Sequence, residues 1–196
     1  MILKQKKAAM FGLDARIALA VFGALSVISS ASLYSAIQDS KLVSLLTEIK
    51  EVEKAFDTFY LDTDRLLPYS QGSAPFVTFY DTALFTNSGN IAGWEGPYLP
   101  TMEHKYGSQG AVSRFRLFAY KADAPGASLN SATAACVENN CNLWINVDFV
   151  DSLSFLEDFD EKYDDGSGFT GNIRYGSASA IRNYMYFKSS PVRNPN

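Results

Sequence analysis

The N-terminal quarter of the sequence contains a 21-residue run, from Ile17 to Ile37, that has no charge and no proline. At about 1.5 Å of rise per residue, the run forms roughly 30 Å of α-helix, which matches the hydrocarbon thickness of a bilayer. It therefore predicts a transmembrane helix. The lysines ahead of it, Lys4, Lys6 and Lys7, are expected to stay in the cytoplasm, which sends the chain beyond residue 40 to the outside.

Two other interpretations fit an apolar N-terminal run. A cleaved secretory signal peptide usually has an apolar region of about 7 to 15 residues, which is shorter than this run. Asp14 and Arg16 would also separate its basic region from its apolar region. A plain single-pass membrane anchor fits the hydropathy as well as any other membrane helix does. Hydropathy alone does not distinguish these classes.

The charges and glycines at the start of the run form a more specific pattern. The stretch Met10–Ser26, MFGLDARIALAVFGALS, resembles the type IV pilin and type II secretion pseudopilin family. In that family a short basic leader is removed before a hydrophobic helix whose fifth residue is an acid and whose fourteenth is often glycine. Cleavage between Ala9 and Met10 makes Asp14 the fifth residue and Gly23 the fourteenth.

The sequence departs from the family pattern near the cleavage site. Ala9 replaces the usual glycine, Asp14 replaces glutamate, and Arg16 adds a cation to the helix. Cleavage after Gly12 would retain a glycine before the cut, but it would place Ile17 fifth and remove the acid from that position. Both cleavage positions stay open, and the cut after Ala9 preserves the acid.

The resemblance implies a mode of assembly. Prepilin peptidase is expected to remove residues 1–9, and Met10 becomes a candidate for N-methylation. An assembly platform and an ATPase then move the helix from the bacterial inner membrane into a helical homo-oligomer, either an extracellular pilus or a periplasmic pseudopilus. An acid in a membrane helix is costly unless paired, so Asp14 is expected to meet the Met10 ammonium of a neighbouring subunit. The alternative role for Asp14 is local stabilisation of the helix start.

The apolar spacing changes after Lys41 and indicates a helix with one apolar face. Apolar residues recur three and four positions apart, at Leu42, Leu45, Ile49, Val52, Phe56 and Phe59. Because the first proline of the chain is Pro68, one helix is expected from near Asp14 to about Tyr60. Only about two heptads are available for a coiled coil, so packing of this face on the chain's own sheet is expected.

The remaining chain predicts a small β-rich domain. Four alternating segments are separated by Gly, Asn, Ser and Pro, namely Phe115–Ala122, Asn142–Val150, Asn172–Gly176 and Asn183–Lys188. Between the second and third, Phe155, Phe159 and Tyr163 share one face of a short helix that Asp151 or Ser152 is expected to cap and that ends at Gly166.

The predicted fold class is α+β, a pilin-like long N-terminal helix packed on an antiparallel sheet, with the first half of the helix in the membrane. Four regions follow, namely the leader 1–9, the membrane and assembly half 10–40, the amphipathic half 41–67 and the extracytoplasmic domain 68–196.

Two further stretches, residues 51–68 and the sequence WEGPYLP at 94–100, resemble pseudopilins. They favour a pseudopilin that acts as a periplasmic piston as the alternative to a pilus subunit. An unrelated membrane-anchored extracytoplasmic binding protein is the third alternative.

The two cysteines, Cys136 and Cys141, are expected to form a small disulfide in an exported domain. Their spacing is wider than that of the redox motif Cys-x-x-Cys. A zinc site would need two more ligands, and the chain has one histidine, His104.

The acidic turn around Asp164, Asp165 and Gly166 has two interpretations. Carboxylates beside glycine suit Ca²⁺, which takes six to eight oxygen ligands, and the pseudopilins that the chain resembles bind calcium in their C-terminal loops. The other interpretation is a polar turn with both carboxylates in water.

Enzymatic and nucleic-acid-binding functions are not expected. The sequence has no glycine-rich phosphate-binding loop, and His104 has no nucleophile motif beside it. The formal net charge is −4 and becomes more negative once the lysines of the leader are removed, so the chain has no general attraction for nucleic acid. No cofactor other than Ca²⁺ is suggested.

Overall fold

The computed structural model describes residues 6–70, 77–100, 115–121, 141–150, 152–179 and 182–192, with side chains from Gly12 onwards except at positions 70, 121, 149, 178, 179 and 182. It has the α+β class that the sequence predicts, with one long helix, one short helix and an antiparallel sheet. The chain divides into two compact units, Met1–Leu45 and Leu46–Asn196, which are described separately below.

Helix α1 extends over Lys6–Thr63. It begins before Asp14 and ends after Tyr60, so it is longer at both ends than the apolar pattern indicated. No proline interrupts it, and the backbone hydrogen bonds can therefore continue across the change from apolar to amphipathic sequence.

In the first unit, the side chains of α1 from Gly12 to Ile37 are exposed. Its exposed large apolar side chains are Leu13, Ile17, Leu19, Val21, Phe22, Leu25, Val27, Ile28, Leu33, Tyr34, Ile37 and Val43. The hydroxyls of Ser26 and Ser30 each donate to the backbone carbonyl four residues earlier, both at 2.8 Å, and therefore do not need water as a partner.

The described part of α1, Gly12–Thr63, is long and apolar enough to cross a membrane. Its most apolar 18-residue window has a mean hydropathy of 1.9, and no part of that window is buried. The prediction of a long apolar N-terminal helix is therefore confirmed at the level of length and composition.

In the second unit, the remainder of α1 buries the apolar face that the sequence predicted. Ile49, Val52, Phe56 and Phe59 are almost completely inaccessible to solvent. The rings of Phe56 on α1 and Phe79 on the sheet pack edge to face, with their centroids 5.5 Å apart. The spacing of three and four residues thus reports packing of α1 on the chain's own sheet.

The sheet has six strands in the order β1-β2-β3-β4-β6-β5, and every neighbouring pair is antiparallel. The strands are β1 Tyr69–Ser70, β2 Val77–Phe79, β3 Phe115–Lys121, β4 Cys141–Val150, β5 Ile173–Ser179 and β6 Arg182–Val192. The four predicted strands are confirmed as β3 to β6. Strands β1 and β2 were not predicted, because two and three residues are too short to show alternation.

Both faces of the sheet contribute buried side chains. Leu117 on β3 lies opposite Ile145 on β4, and Ile145 lies opposite Phe187 on β6, so these residues share the face that packs on α1. The other face carries an aromatic cluster of Phe118, Tyr120, Trp144 and Tyr186.

The WEGPYLP stretch packs beside the end of α1. The indole N–H of Trp94 donates to the carbonyl of Ala83 at 2.7 Å, and the backbone N–H of Tyr98 donates to the carbonyl of Leu84 at 2.8 Å. The Tyr98 ring contacts Phe59 edge-on, with 5.8 Å between centroids. This stretch therefore covers the last buried turn of the helix.

Helix α2 spans Leu153–Tyr163 and buries Leu156 and Phe159. Ser152 occupies the N-cap position, but its side chain makes no capping bond and instead lies 2.6 Å from the hydroxyl of Ser154. The capping role predicted for Ser152 is therefore wrong, and Asp151 lies outside the described residues. The helix ends at Tyr163, three residues before the expected Gly166, because Asp164 leaves the helical conformation.

Phe59→Ala should remove a buried ring of α1 that packs against Tyr98. The substitution should lower the free energy of unfolding by about 3–5 kcal/mol. The control is Leu61→Ala on the same helix, where the side chain is 79% exposed and the change should stay within about 0.5 kcal/mol. Urea unfolding of the full chain in detergent, followed by tryptophan fluorescence, measures both. Equal effects of the two substitutions would contradict the packing described for α1.

Candidate divalent-cation site

Three carboxyl groups meet where α2 ends and the chain turns towards β5. Asp160 lies in the last turn of α2, and Asp164 and Asp165 follow directly after it. One oxygen from each of the three lies within 4.8 Å of the others. We call this group the acidic cluster. The two predicted calcium ligands, Asp164 and Asp165, both belong to it.

Asp164 connects the end of α2 to the start of β5. Its Oδ2 accepts hydrogen bonds from the backbone N–H groups of Asn172 and Ile173, the second at 2.8 Å. Its Oδ1 accepts from the side-chain amide of Asn172 at 3.2 Å. The carboxylate thus holds the residues that begin the strand.

Asp165 holds the turn itself. It accepts hydrogen bonds from the Thr170 hydroxyl at 2.7 Å and from the backbone N–H of Ser167 at 2.9 Å. These two bonds, together with the positive charge of Arg174, lower the pKa of Asp165 below its ordinary value. Its carboxyl group is therefore ionised at neutral pH.

Asp160 differs from both of its neighbours. Its side chain is completely buried, and neither carboxylate oxygen has a hydrogen-bond partner within the described part of the chain. Burial, reinforced by the negative charges of Asp164 and Asp165, raises the pKa of Asp160 to about 6. At neutral pH the cluster therefore carries a buried carboxylate that lacks a counter-charge in the described residues.

The turn leaves no room for a side chain at Gly171. Its φ is +72°, and a Cβ atom there would overlap Oδ2 of Asp164. The carbonyl of Gly171 accepts from Nη2 of Arg174 at 3.3 Å, and the guanidinium carbon of Arg174 lies 5.3 Å from the centre of the Trp144 ring. A neighbouring backbone bond, from the N–H of Tyr175 to the carbonyl of Gly168 at 3.2 Å, fixes the other side of the turn.

The donor set suits a hard divalent cation. Ca²⁺ binds carboxylate, carbonyl and water oxygens at about 2.3–2.6 Å and tolerates irregular geometry. Each carboxylate oxygen has more than one lone pair, so the hydrogen bonds to Asp164 and Asp165 leave room for a metal bond. A cation would also give Asp160 the counter-charge that the described residues do not supply. The residues present therefore fit calcium.

Asp160 is not among the ligands predicted from the sequence. The signal that identifies it is its spacing, because Asp160 lies on the same helical face as the apolar residues Leu156, Phe159 and Tyr163. A carboxylate on the buried face of an amphipathic helix needs a partner, and two further carboxylates follow four and five residues later.

The predicted assembly residues all belong to α1. Ala9 and Met10 are in its first turns, Asp14 is exposed, and a Cβ atom at Gly23 would meet nothing within 4 Å. No residue of this group belongs to the acidic cluster, so the two predicted sites are separate.

The cysteine prediction is only partly covered by the described residues. Cys141 is buried at the start of β4 and is disulfide-bonded. Cys136 and His104 lie outside the described residues, and the pairing of Cys136 with Cys141 stays a prediction.

No protein-family model, no curated protein and no solved structure matches this chain.

The acidic cluster predicts an unusual pH dependence in calcium-free buffer. The pKa of Asp160 is raised from 3.8 to about 6, so the unfolded chain loses this proton at lower pH than the folded chain. The contribution of Asp160 to the free energy of unfolding is therefore fully present at low pH. It falls by roughly 3 kcal/mol as the pH rises from about 4 to 6.

Asp160→Asn should remove this loss, whereas Asp158→Asn, at an exposed acid of the same helix, should retain it. Urea unfolding of both variants at pH 4.5 and pH 7 with a chelator gives the difference. Because other carboxyl groups titrate equally in both variants, identical pH profiles would contradict a buried, unpartnered Asp160.

Proposed function

We propose that this chain is a structural subunit of a type IV pilus-like filament, assembled through its N-terminal helix. The observation that carries the proposal is the apolar window of α1, in which no residue is buried although the same helix later buries its apolar face in the second unit. A surface of this kind needs a bilayer or other protein to cover it.

Along the exposed apolar stretch of α1, a membrane or other helices would take the place of water. Covering apolar surface contributes about 25 cal/mol per Å², or roughly 1.5–3 kcal/mol for each large side chain. A membrane covers the helix before assembly, and the helices of neighbouring subunits cover it afterwards. A filament subunit uses both environments in turn, which would account for an apolar stretch of α1 that no described residue of its own chain covers.

The resemblance of residues 1–68 to prepilins supports the same proposal. Prepilin peptidase would cleave between Ala9 and Met10, and the assembly platform and its ATPase would extract the helix from the inner membrane. In the filament, the Asp14 carboxylate would accept the Met10 ammonium of a neighbouring subunit. No catalytic role is proposed for any residue.

A secretion pseudopilin is the second candidate function. The WEGPYLP stretch, which resembles pseudopilins, is fixed by the bond from Trp94 to the carbonyl of Ala83 and by the contact of Tyr98 with Phe59 of α1. In that case the filament would be periplasmic and would act as a piston. A single-pass anchored binding protein is the third candidate, and it requires neither cleavage nor Asp14.

We also propose that the acidic cluster holds a structural Ca²⁺ ion. Asp160, Asp164 and Asp165 would bind it, and the cation would supply the charge that stabilises ionised Asp160. The buried, unpartnered carboxylate of Asp160 is the observation that supports binding over a solvated polar turn. The ion would fasten the end of α2 to the start of β5.

Intact mass and N-terminal sequencing of the protein from membranes of its native host test the filament proposal. The expected N-terminus is Met10, with or without one methyl group. Asp14→Ala should leave a processed and folded subunit that assembles poorly, because its acid no longer registers the neighbouring subunit. Asp14→Glu is the control and should assemble normally. A protein that keeps Met1 and functions with Asp14→Ala would support the anchored binding protein instead.

Calcium should raise the midpoint of thermal unfolding. At a concentration of about 100 times Kd, ligand binding contributes about 2.7 kcal/mol, which corresponds to roughly 5–10 °C for a chain of this size. Asp164→Asn should abolish the shift, and Asp158→Asn should preserve it. Circular dichroism of the full chain in detergent with calcium or with chelator measures both. No calcium-dependent shift in the unmodified chain would exclude the structural ion.

A further inference from the structure

Asp14 and Arg16 point to opposite sides of α1. Residues two apart on an α-helix are separated by about 200° around its axis, so their side chains cannot pair with each other. Both side chains are exposed, and neither makes a hydrogen bond or ion pair within the part of the chain described from Gly12 onwards. The helix thus presents one negative and one positive group in different directions.

Both sides of the helix carry exposed apolar side chains. On the side of Asp14, Val21, Leu25 and Ile28 are 54%, 58% and 64% exposed. On the side of Arg16, Leu19 and Val27 are each 71% exposed, and Gly23 lies between them along the helix. Each side is therefore apolar apart from its one charged group, and each needs a covering surface in the membrane or in a filament.

A membrane makes both charges costly. An ionised side chain within a membrane helix requires a partner, and α1 provides none for Arg16. The positive side of one helix is complementary in charge to the negative side of another, and both sides carry apolar side chains that a second helix can cover. Each copy of the chain carries both sides.

We propose that Arg16 of one copy of this chain pairs with Asp14 of a second copy, so that the negative side of one helix packs against the positive side of the next. The proposal rests on the proposed function and names the contact by which subunits recognise each other. Because the two charges lie on opposite sides, each contact leaves one charged side free for a further copy. Such a contact is heterologous and produces an open array of subunits instead of a closed dimer.

The pairing is compatible with the proposed role of the Met10 ammonium. A carboxylate has two oxygens and about four acceptor positions, so Asp14 can accept from an ammonium group and a guanidinium group together. The competing fate for Arg16 is an extended side chain that reaches the phosphates of lipid headgroups.

Cysteine cross-linking distinguishes these two fates of Arg16. Ala18 lies one turn from Asp14 on its side, and Ala20 lies one turn from Arg16 on the other. Two differently tagged full-length copies, one with Ala18→Cys and one with Ala20→Cys, are expressed together in bacterial membranes and oxidised. The disulfide between position 18 and position 20 should exceed the 18–18 and 20–20 products by about tenfold. Copies without introduced cysteines control for Cys136 and Cys141.

The same experiment with Arg16→Gln in both copies should remove the preference, and Arg16→Lys should retain it. Equal yields of all three disulfides, or a preference that survives Arg16→Gln, would overturn the pairing and favour lipid headgroups as the partner. The cross-links form in the membrane and do not require leader cleavage or filaments. A protein that keeps Met1 but shows the 18–20 preference would therefore refute the filament proposal and leave the pairing in place.

Discussion

The structure depends on how the surface of one helix is covered along its length. Beyond Ile49 the sheet and the WEGPYLP stretch exclude water from the apolar face of α1, and the second unit builds its core on that contact. Between Gly12 and Ile37 the described chain offers no cover. One uninterrupted backbone thus serves two environments, and the sequence changes from uniformly apolar to amphipathic where the environment changes.

Strong periodicity explains what the sequence could predict. The run from Ile17 to Ile37, the spacing from Leu42 to Phe59 and the alternation in β3 to β6 each repeat often enough to identify an element without a structure. Strand β2 pairs with β3 and β1 pairs with β2, so the conformation of these two short strands depends on pairing that no local pattern encodes. The cap expected from Ser152 failed for a related reason, because Ser154 offers its hydroxyl a different partner.

The acidic cluster shows the same limit at the level of a site. Asp164 and Asp165 stand beside Gly166 in the sequence and were identified as candidate ligands. Asp160 was not, because its importance comes from burial, and burial is decided by how α2 packs on the sheet. The requirement for glycine at Gly171 likewise depends on contact with Asp164 across the turn. Residue types were readable from the chain, whereas the distances that turn them into a site were not.

The bond between Tyr175 and Gly168 has a consequence for solubility. Strand β5 is at one end of the sheet order, so one side of its backbone has no neighbouring strand among the residues that the structure describes. Free strand edges invite pairing with strands of other molecules, which leads to aggregation. The outward N–H of Tyr175 donates to the carbonyl of Gly168. It is therefore not free to pair with an added strand near the start of β5. Copies of the chain held close together would therefore find no free N–H at Tyr175 through which their sheets could join edge to edge.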